Sequence, residues 1–166
     1  MMTPSAVVKY LNHLFSVFDH LASELGVEKV KMIGDAYMVI SGAPEPQAHH
    51  AEIIGEMALR MMERAAAVNE QYEMPLQLRI GISSGPVVGG IVGTHRFLYD
   101  VWGDTVNVAS RLEALGTPGR IHVSDSTARH LADWFDLEDR GPMAVKGKGQ
   151  LNTYFLCGRK HQPTSG

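Results

Sequence analysis

The positions of apolar residues along the chain predict two long helices in its first half. After Thr3-Pro4, a pair typical of a helix start, apolar side chains recur every three or four residues as far as Leu25, and Gly26 is expected to end this helix. The same period predicts a second helix over residues 48–72. In that helix Ile54, Met57, Met61 and Ala65 should be buried, and Glu56 and Arg60 should form an i,i+4 pair.

Shorter apolar runs separated by turn residues predict strands. The Gly34-Asp35 dipeptide lies between two such runs and predicts a β-hairpin within residues 27–41. No repeat or linker divides the chain, so we predict one α+β domain over residues 1–157, followed by a tail at 158–166. The other predicted strands are 76–82, 97–102, 120–123, 135–137, 143–145 and 152–156, and the other helices run from Asp104, as N-cap, to about Leu115 and over 126–132.

Composition then narrows the class of protein. The chain has 166 residues, of which 45% are hydrophobic, and this fraction supplies a real core and excludes a disordered chain. The net charge of −3 gives no basic field for nucleic acid, and the single cysteine, Cys157, excludes an internal disulfide. No apolar run approaches the ~18 residues of a membrane span. We therefore expect a cytoplasmic globular domain without membrane contact of its own, alone or as part of a larger or membrane-anchored protein.

Asp35 is the first candidate for chemistry, because it places a carboxylate at the tip of the predicted hairpin. Aspartate is also an ordinary turn residue, and turn geometry alone explains the position. The functional alternative is a ligand for a hard cation, since Mg²⁺ prefers one or two carboxylates together with phosphate oxygens. Lys31, four residues earlier, should face the same side of an extended strand, although a solvated lysine is the simpler interpretation.

Asn107 and Arg111 form a second candidate pair. They are four residues apart and therefore share one face of the helix that Asp104 is predicted to begin. A solvated polar face explains them as well as a pair of donors for a sugar and a phosphate does. In the second case arginine suits the charge that develops on phosphoryl oxygens.

Other familiar motifs are absent from the sequence. The basic turn Lys146-Gly147-Lys148-Gly149 and the glycines within 81–93 match neither the Walker spacing nor the G-x-G-x-x-G dinucleotide pattern, so turn geometry and close packing explain them. The eight histidines show no H-E-x-x-H spacing, which argues against a zinc site. No G-x-S-x-G elbow supports a serine hydrolase.

Individually these features are weak, but their order along the chain is specific. The segments Val30–Met38, Tyr99–Arg111 and Val145–Gly149 together strongly resemble the catalytic domain of class III nucleotidyl cyclases, the adenylate and guanylate cyclases. The resemblance runs from the first helix to Leu156 and looks closest to homodimeric adenylate cyclases of the mycobacterial type. It implies a ferredoxin-like βαββαβ fold with extra C-terminal strands.

The resemblance also implies a role for each candidate residue. Asp35 matches the second of two metal-binding aspartates, and Lys31 with Asp100 matches the pair that selects the purine. Asn107 matches the residue that orients the ribose, and Arg111 matches the one that stabilises the transition state. Two metal ions, Mg²⁺ or Mn²⁺, are expected in the complete site.

A sixth residue, Lys146, matches the lysine that holds the β- and γ-phosphates. The resemblance further implies a homodimer in which two chains pair head to tail. Each site would take its metal ligands from one chain and its remaining residues from the other. The stretch 87–99 matches the arm that reaches across this dimer.

One part of the family pattern is not found in the chain, namely the initial strand and turn of the form F-x-D-I-x-G-F-T, which carries the first metal-binding aspartate. In the ferredoxin-like sheet that the resemblance implies, this strand is central, so its neighbours should have unpaired backbone groups without it. A site with Asp35 alone should hold two Mg²⁺ poorly. A misplaced start or a trimmed chain, an inactive homologue, and another segment in its place each explain the absence. The retained site residues favour a truncated but competent enzyme.

The purine pair indicates which nucleotide is used. Adenine presents an N6 amine donor and an N1 acceptor, which an aspartate acceptor and a lysine donor complement, whereas guanine has the opposite polarity. We therefore predict an adenylate cyclase that converts ATP to 3′,5′-cyclic AMP and pyrophosphate by two-metal in-line attack of the ribose 3′-oxygen. The alternatives are an inactive nucleotide-binding or dimerisation module and a diguanylate cyclase, whose Gly-Gly-Asp/Glu-Glu-Phe signature is absent.

Overall fold

The computed structural model describes residues 3–92, 98–145 and 147–160, and no helix among them is long and apolar enough to cross a membrane. The chain divides into two compact units. One is the chain as far as Leu78 together with Gly89–Val101, and the other is Arg79–Val88 together with the chain from Trp102 onward. The elements are α1 Pro4–Leu25, β1 Glu28–Ile33, β2 Ala36–Ile40, α2 His50–Tyr72, β3 Ile80–Ile82, β4 Val88–Val92, β5 Leu98–Trp102, α3 Asp104–Ala114, β6 Ile121–Ser124, α4 Asp125–Leu131, β7 Phe135–Val145 and β8 Gly149–Arg159.

These elements confirm the predicted α+β class, while the prediction of one domain over 1–157 stays a prediction.

In the first unit α1 and α2 pack together, as their apolar periods require. The Thr3 hydroxyl caps α1 and Gly26 ends it with left-handed backbone (φ 68°), as predicted. Ile54 is half-buried rather than buried, whereas Glu56 and Arg60 form their pair at 3.0 Å. The core residues of the two helices include Tyr10, Leu14, Phe18, Leu21, Met57, Met61 and Ala65.

Strands β1 and β2 form the predicted hairpin, with Gly34 and Asp35 in the turn between them. A β-bulge interrupts the register between Lys29 and Lys31, so these two lysines are not related by regular strand geometry. The hairpin is a two-stranded sheet of its own. Strands β4 and β5 form another two-stranded sheet.

Tyr37 of β2 attaches the hairpin to α1. Its ring lies 6.0 Å from the ring of Phe15 and 5.5 Å from that of Phe18, and its hydroxyl donates to Asp19 at 2.5 Å. Lys29 also pairs with Asp19, at 3.1 Å. Burial and the bond to Asp19 raise the pKa of the Tyr37 phenol, so it remains a protonated donor.

The second unit is built on a four-stranded sheet with the order β3-β6-β8-β7. Strand β3 is parallel to β6 and lies at the edge of this sheet, whereas β8 is antiparallel to both β6 and β7. Helix α3 packs on β3 and β6. Its residues Val108 and Leu112 form a buried cluster with Met143 of β7, which fixes the side of α3 that faces the core.

Several predicted boundaries are wrong. The strand expected at 76–82 is only β3, because Leu76 is exposed and its carbonyl accepts a bond from the Asn69 side chain instead of a neighbouring strand. The runs 135–137 and 143–145 belong to one strand, β7, which pairs with β8 through two bulges. The glycine-rich stretch contains β4, which its low β-propensity concealed. Asp104 is the first residue of α3, and the N-cap is Gly103.

Candidate active site

Lys31 and Asp100 are 69 positions apart in the chain, and the fold of the first unit brings them together. The Lys31 Nζ atom donates to Asp100 Oδ2 at 3.0 Å. The Asp100 side chain is 19% exposed and that of Lys31 is 41% exposed, so the pair is partly accessible to solvent. The two residues predicted to select a purine are therefore neighbours.

Asp100 is fixed through both of its carboxylate oxygens. Oδ2 accepts from Lys31, and Oδ1 accepts from the backbone N–H of Val101 at 2.8 Å. The bond from Lys31, together with the one from Val101, holds the pKa of the Asp100 carboxyl below its usual range. Asp100 is consequently an ionised acceptor at neutral pH, with its orientation set before any ligand arrives.

Asp35 lies exposed at the hairpin tip, where the turn geometry presents it to solvent. Its carboxylate has no hydrogen bond or ion pair with another residue of the described ranges. Within those ranges, no three or more His, Cys, Asp or Glu side chains come close enough to hold a metal ion. The described residues thus supply one predicted ligand and do not by themselves fit a two-metal site.

Asn107 and Arg111 are both exposed and lie one turn apart on α3. Neither side chain bonds to another described residue. Because Val108 and Leu112 of the same helix are buried, the helical period directs Asn107 and Arg111 away from the core. This arrangement fits either alternative raised from the sequence, a solvated face or a pair of donors.

A close approach of two backbones sets the position of α3. A Cβ atom on Gly81 of β3 would lie 2.4 Å from the carbonyl oxygen of Ala109 and 2.5 Å from the backbone nitrogen of Glu113. Real side chains do not tolerate such distances, so only glycine permits this packing. The glycine-rich stretch, which sequence reasoning explained by close packing, therefore helps to place Asn107 and Arg111.

The predicted phosphate lysine, Lys146, lies outside the described residues. Its neighbour Lys148 is described, and its Nζ atom lies 3.5 Å from Asp104 Oδ2 at the start of α3. The Lys148 N–H also donates to the carbonyl of Val145 at 3.0 Å, which closes the turn. Sequence reasoning treated Lys148 as part of a basic turn and missed this pairing, since no spacing rule links residues 44 apart.

Sequence reasoning also missed Thr105, whose hydroxyl donates to the carbonyl of Pro86 at 2.7 Å. A threonine in a first helical turn gives no sequence signal for such a contact. Structure alone reveals that α3 is held at its start by a turn from elsewhere in the second unit.

Comparison with known proteins gives one family. Residues 1–158 match the family model described as the adenylate and guanylate cyclase catalytic domain. An adenylate cyclase of Mycobacterium tuberculosis is 46% identical over 157 residues, which are 95% of this chain and 35% of the relative. Guanylate cyclase 2G of Rattus norvegicus is also 46% identical, over 96% of this chain and 15% of the relative. The chain thus spans about a third or less of the length of these curated relatives.

Solved structures give the same fold. An adenylyl cyclase from P. aeruginosa matches with a TM-score of 0.88 and 28% identity, over 94% of this chain and 84% of that one. A guanylate cyclase domain from Catenaria anguillulae, solved with GTP, matches with a TM-score of 0.83 and 35% identity, over 96% and 87% of the two chains. Proteins named adenylate cyclases and proteins named guanylate cyclases are therefore about equally similar to this chain.

Proposed function

Because the chain belongs to the adenylate and guanylate cyclase catalytic-domain family, the class III nucleotidyl cyclases, we propose that it is the catalytic domain of an adenylate cyclase. It would act in the cytoplasm and convert ATP to the signalling nucleotide 3′,5′-cyclic AMP and pyrophosphate. The observation that carries the choice of ATP is the Lys31–Asp100 pair at 3.0 Å, since overall similarity favours neither nucleotide.

The pair complements adenine and opposes guanine. The Lys31 ammonium can only donate and suits the N1 acceptor of adenine, while the ionised Asp100 carboxylate can only accept and suits the N6 amine. Guanine would place its N1–H donor against a donor and its O6 acceptor against an acceptor. A polar mismatch of this kind is a basis for discrimination, because it leaves hydrogen-bonding groups of the pair and of the base unpaired.

Asn107 and Arg111 supply the other proposed roles. The Asn107 amide would orient the ribose so that its 3′-oxygen faces the α-phosphorus in line with the leaving group. The new bond joins O3′ to the α-phosphorus, the bond from that phosphorus to the bridging oxygen breaks, and pyrophosphate leaves with its electron pair while the 3′-hydroxyl proton passes to solvent. The Arg111 guanidinium would stabilise the charge on the phosphoryl oxygens as it develops. Lys146 would bind the β- and γ-phosphates.

Asp35 would be one ligand for Mg²⁺ or Mn²⁺, ions that also bind phosphate oxygens. A metal held there would supply charge neutralisation for the phosphates and a lower pKa for the attacking hydroxyl. Two ions are proposed for the complete site, and other ligands must join Asp35 to hold them.

We also propose a homodimer with shared sites. Strand β4 carries the exposed apolar residues Val88 and Ile91, at 66% and 70% exposure, within the stretch that matches the family's dimer arm. If each site takes Asp35 from one chain and Arg111 from the other, then Asp35→Ala and Arg111→Ala variants, each inactive alone, should restore about a quarter of the activity when mixed. No recovery on mixing would contradict the shared site.

The substrate proposal is tested by incubating the protein with ATP or GTP in the presence of Mg²⁺ or Mn²⁺, alone and with an F-x-D-I-x-G-F-T strand added upstream. Cyclic AMP should form in preference to cyclic GMP. The double variant Lys31→Glu with Asp100→Asn reverses both polarities and should reverse the preference, whereas Lys29→Glu on the same strand should not. If the unaltered protein prefers GTP, or the double variant keeps the preference for ATP, the purine assignment is wrong.

One observation favours a second candidate, an inactive nucleotide-binding or dimerisation module of the same fold. Asp35 is the single predicted metal ligand among the described residues, and no metal cluster forms there. Such a module would bind ATP in calorimetry and yet form no cyclic nucleotide even with the added strand, with either metal.

A further inference from the structure

Helix α3 begins without a side-chain cap. Its N-cap is Gly103, which has no side chain to accept a bond from the first N–H groups. The first hydrogen bond within the helix runs from the Asn107 N–H to the carbonyl of Gly103, at 3.1 Å. Asn107 therefore belongs to a helix turn that lacks the stabilisation of a side-chain cap. Its orientation depends on the other contacts that stabilise this turn.

Thr105 links the first turn of α3 to a segment outside the helix. Its hydroxyl donates to the Pro86 carbonyl at 2.7 Å, a contact between residues 19 apart in the chain. A helical threonine usually bonds back to a carbonyl of its own helix or to water. Two residues along an α-helix correspond to a rotation of about 200°, so while Thr105 faces the Pro86 turn, Asn107 faces the opposite way.

The Pro86 turn is itself anchored. The carbonyl of Ser84 accepts a bond from the Ser126 hydroxyl at 2.8 Å, and the hydroxyls of Ser84 and Thr127 are 2.8 Å apart. Ser126 and Thr127 lie in the first turn of α4, and Thr127 is fully buried. The acceptor of Thr105 thus sits on a segment fastened to a buried group of hydroxyls, rather than on a free loop.

Gly85 shows that the turn is fitted closely to Thr105. A Cβ atom on Gly85 would lie 2.8 Å from the Thr105 Oγ1 atom, which is shorter than real Cβ contacts. The absent side chain therefore makes room for the hydroxyl. The other tether at this end of α3, from Lys148 to Asp104, is 3.5 Å long and involves an aspartate that is 76% exposed, so it contributes little.

We propose that Thr105 is a positioning residue for the cyclase reaction, which holds the first turn of α3 on the Pro86 carbonyl and so fixes the orientation of Asn107. The proposal rests on the proposed function, since it matters for catalysis only if Asn107 orients the ribose. The Thr105 hydroxyl would act through this hydrogen bond, without contacting the nucleotide. Its loss should lower the rate of attack more than the affinity for ATP.

The test compares Thr105→Val, which keeps the shape and removes the donor, with Thr105→Ser, which keeps the donor. Thr105→Val should lower kcat about tenfold and change KM for ATP less than about twofold, while Thr105→Ser stays close to the unaltered protein. Amide hydrogen exchange over residues 104–111 should become faster in Thr105→Val and not in Thr105→Ser. Thr117→Val, an exposed threonine just beyond α3, is the control and should change neither quantity.

The outcomes separate this proposal from the one on which it rests. If Thr105→Val speeds exchange but leaves kcat unchanged, or if valine and serine lower kcat equally, the positioning role is wrong and the cyclase assignment stands. If the unaltered protein forms no cyclic nucleotide under any condition, the proposed function fails instead. Amide hydrogen exchange over residues 104–111 then still tests whether Thr105 holds the first turn of α3. Equal exchange rates in Thr105→Val and the unaltered protein would overturn the positioning role.

Discussion

Lys31 and Asp100 bond to each other at 3.0 Å, whereas Asn107 and Arg111 project from an exposed face of α3 without a bond to any described side chain. The first pair orients itself, since each charge satisfies the other and Asp100 is also held by its own strand. The second pair has no such support and takes its orientation from the helix backbone. Changes to the scaffold should therefore disturb Asn107 and Arg111 far more than Lys31 and Asp100.

The largest expected effect is the loss of the proposed transition-state donor. Arg111→Ala should lower kcat by about 100-fold or more, the usual loss when one preorganised donor to a developing oxyanion is removed. The melting temperature should change little, because Arg111 is exposed and unpaired among described residues. Arg129→Ala on α4, also an exposed arginine, is the control and should retain full activity. An Arg111→Ala protein with normal kcat would remove Arg111 from the reaction.

A scaffold change should act on α3 without touching the purine pair. Gly81→Ala forces a Cβ to within 2.5 Å of two backbone atoms of α3, and we expect it to destabilise the fold by about 2 kcal/mol. The kcat value should fall because α3 must shift, while the preference for ATP over GTP stays the same. Gly158→Ala is a matched control, since its Cβ would meet nothing within 4 Å. Denaturation curves and steady-state kinetics measure the two effects. A lost preference for ATP would show that the two pairs are not independent.

The same contrast explains what could be predicted from the sequence. Helices α1 and α2 were predicted nearly to the residue, because a long apolar period and local end signals such as Thr3 and Gly26 specify them. Strand β4 is missed because its two glycines have low β-propensity, and β7 is divided in two because Gly141 and Pro142 interrupt its pattern, yet each pairs with the strand that follows it in the chain. Cross-strand pairing, rather than local propensity, creates both elements.

The candidate site follows the same rule. The order of the motifs predicts Lys31 and Asp100 as site residues. Their direct contact is seen only in the structure, because no local pattern links residues that are 69 positions apart. Thr105 and Lys148 escaped prediction because their partners are a backbone carbonyl and a distant aspartate. The roles of Asp35, Asn107, Arg111 and Lys146 stay predictions.

A smaller effect is expected from breaking the self-oriented pair. Lys31→Ala removes the main group that lowers the pKa of Asp100, so that pKa should rise toward its usual value. KM for ATP should rise about tenfold, as for the loss of one charged hydrogen bond, with a smaller change in kcat. Lys29→Ala, on the same strand but paired with Asp19, is the control and should leave KM unchanged. An unchanged KM for Lys31→Ala would show that the lysine does not contact the base.

The smallest effect concerns His122, which supports the other end of α3. This fully buried ring lies with Nδ1 3.1 Å from the Leu112 carbonyl and Nε2 2.9 Å from the Thr153 hydroxyl. Because a carbonyl only accepts, Nδ1 donates to Leu112, and the Thr153 hydroxyl beside Nε2 donates its own proton to the Gly141 carbonyl at 2.8 Å. Burial lowers the pKa of His122 below 6.5, the nearby Arg140 charge adds to this, and the bond to Leu112 opposes it.

Stability should therefore fall as the pH is lowered. Below pH 6.5 this histidine is protonated in the unfolded chain but stays neutral in the folded chain. Lowering the pH therefore favours unfolding until the pH reaches the lower pKa of the folded state. Between pH 7 and pH 6 the loss is at most about 0.7 kcal/mol from this group. Urea denaturation across this range, compared with His122→Gln, isolates the contribution, since the glutamine variant lacks it. If both proteins lose the same stability, folding does not lower the pKa of His122.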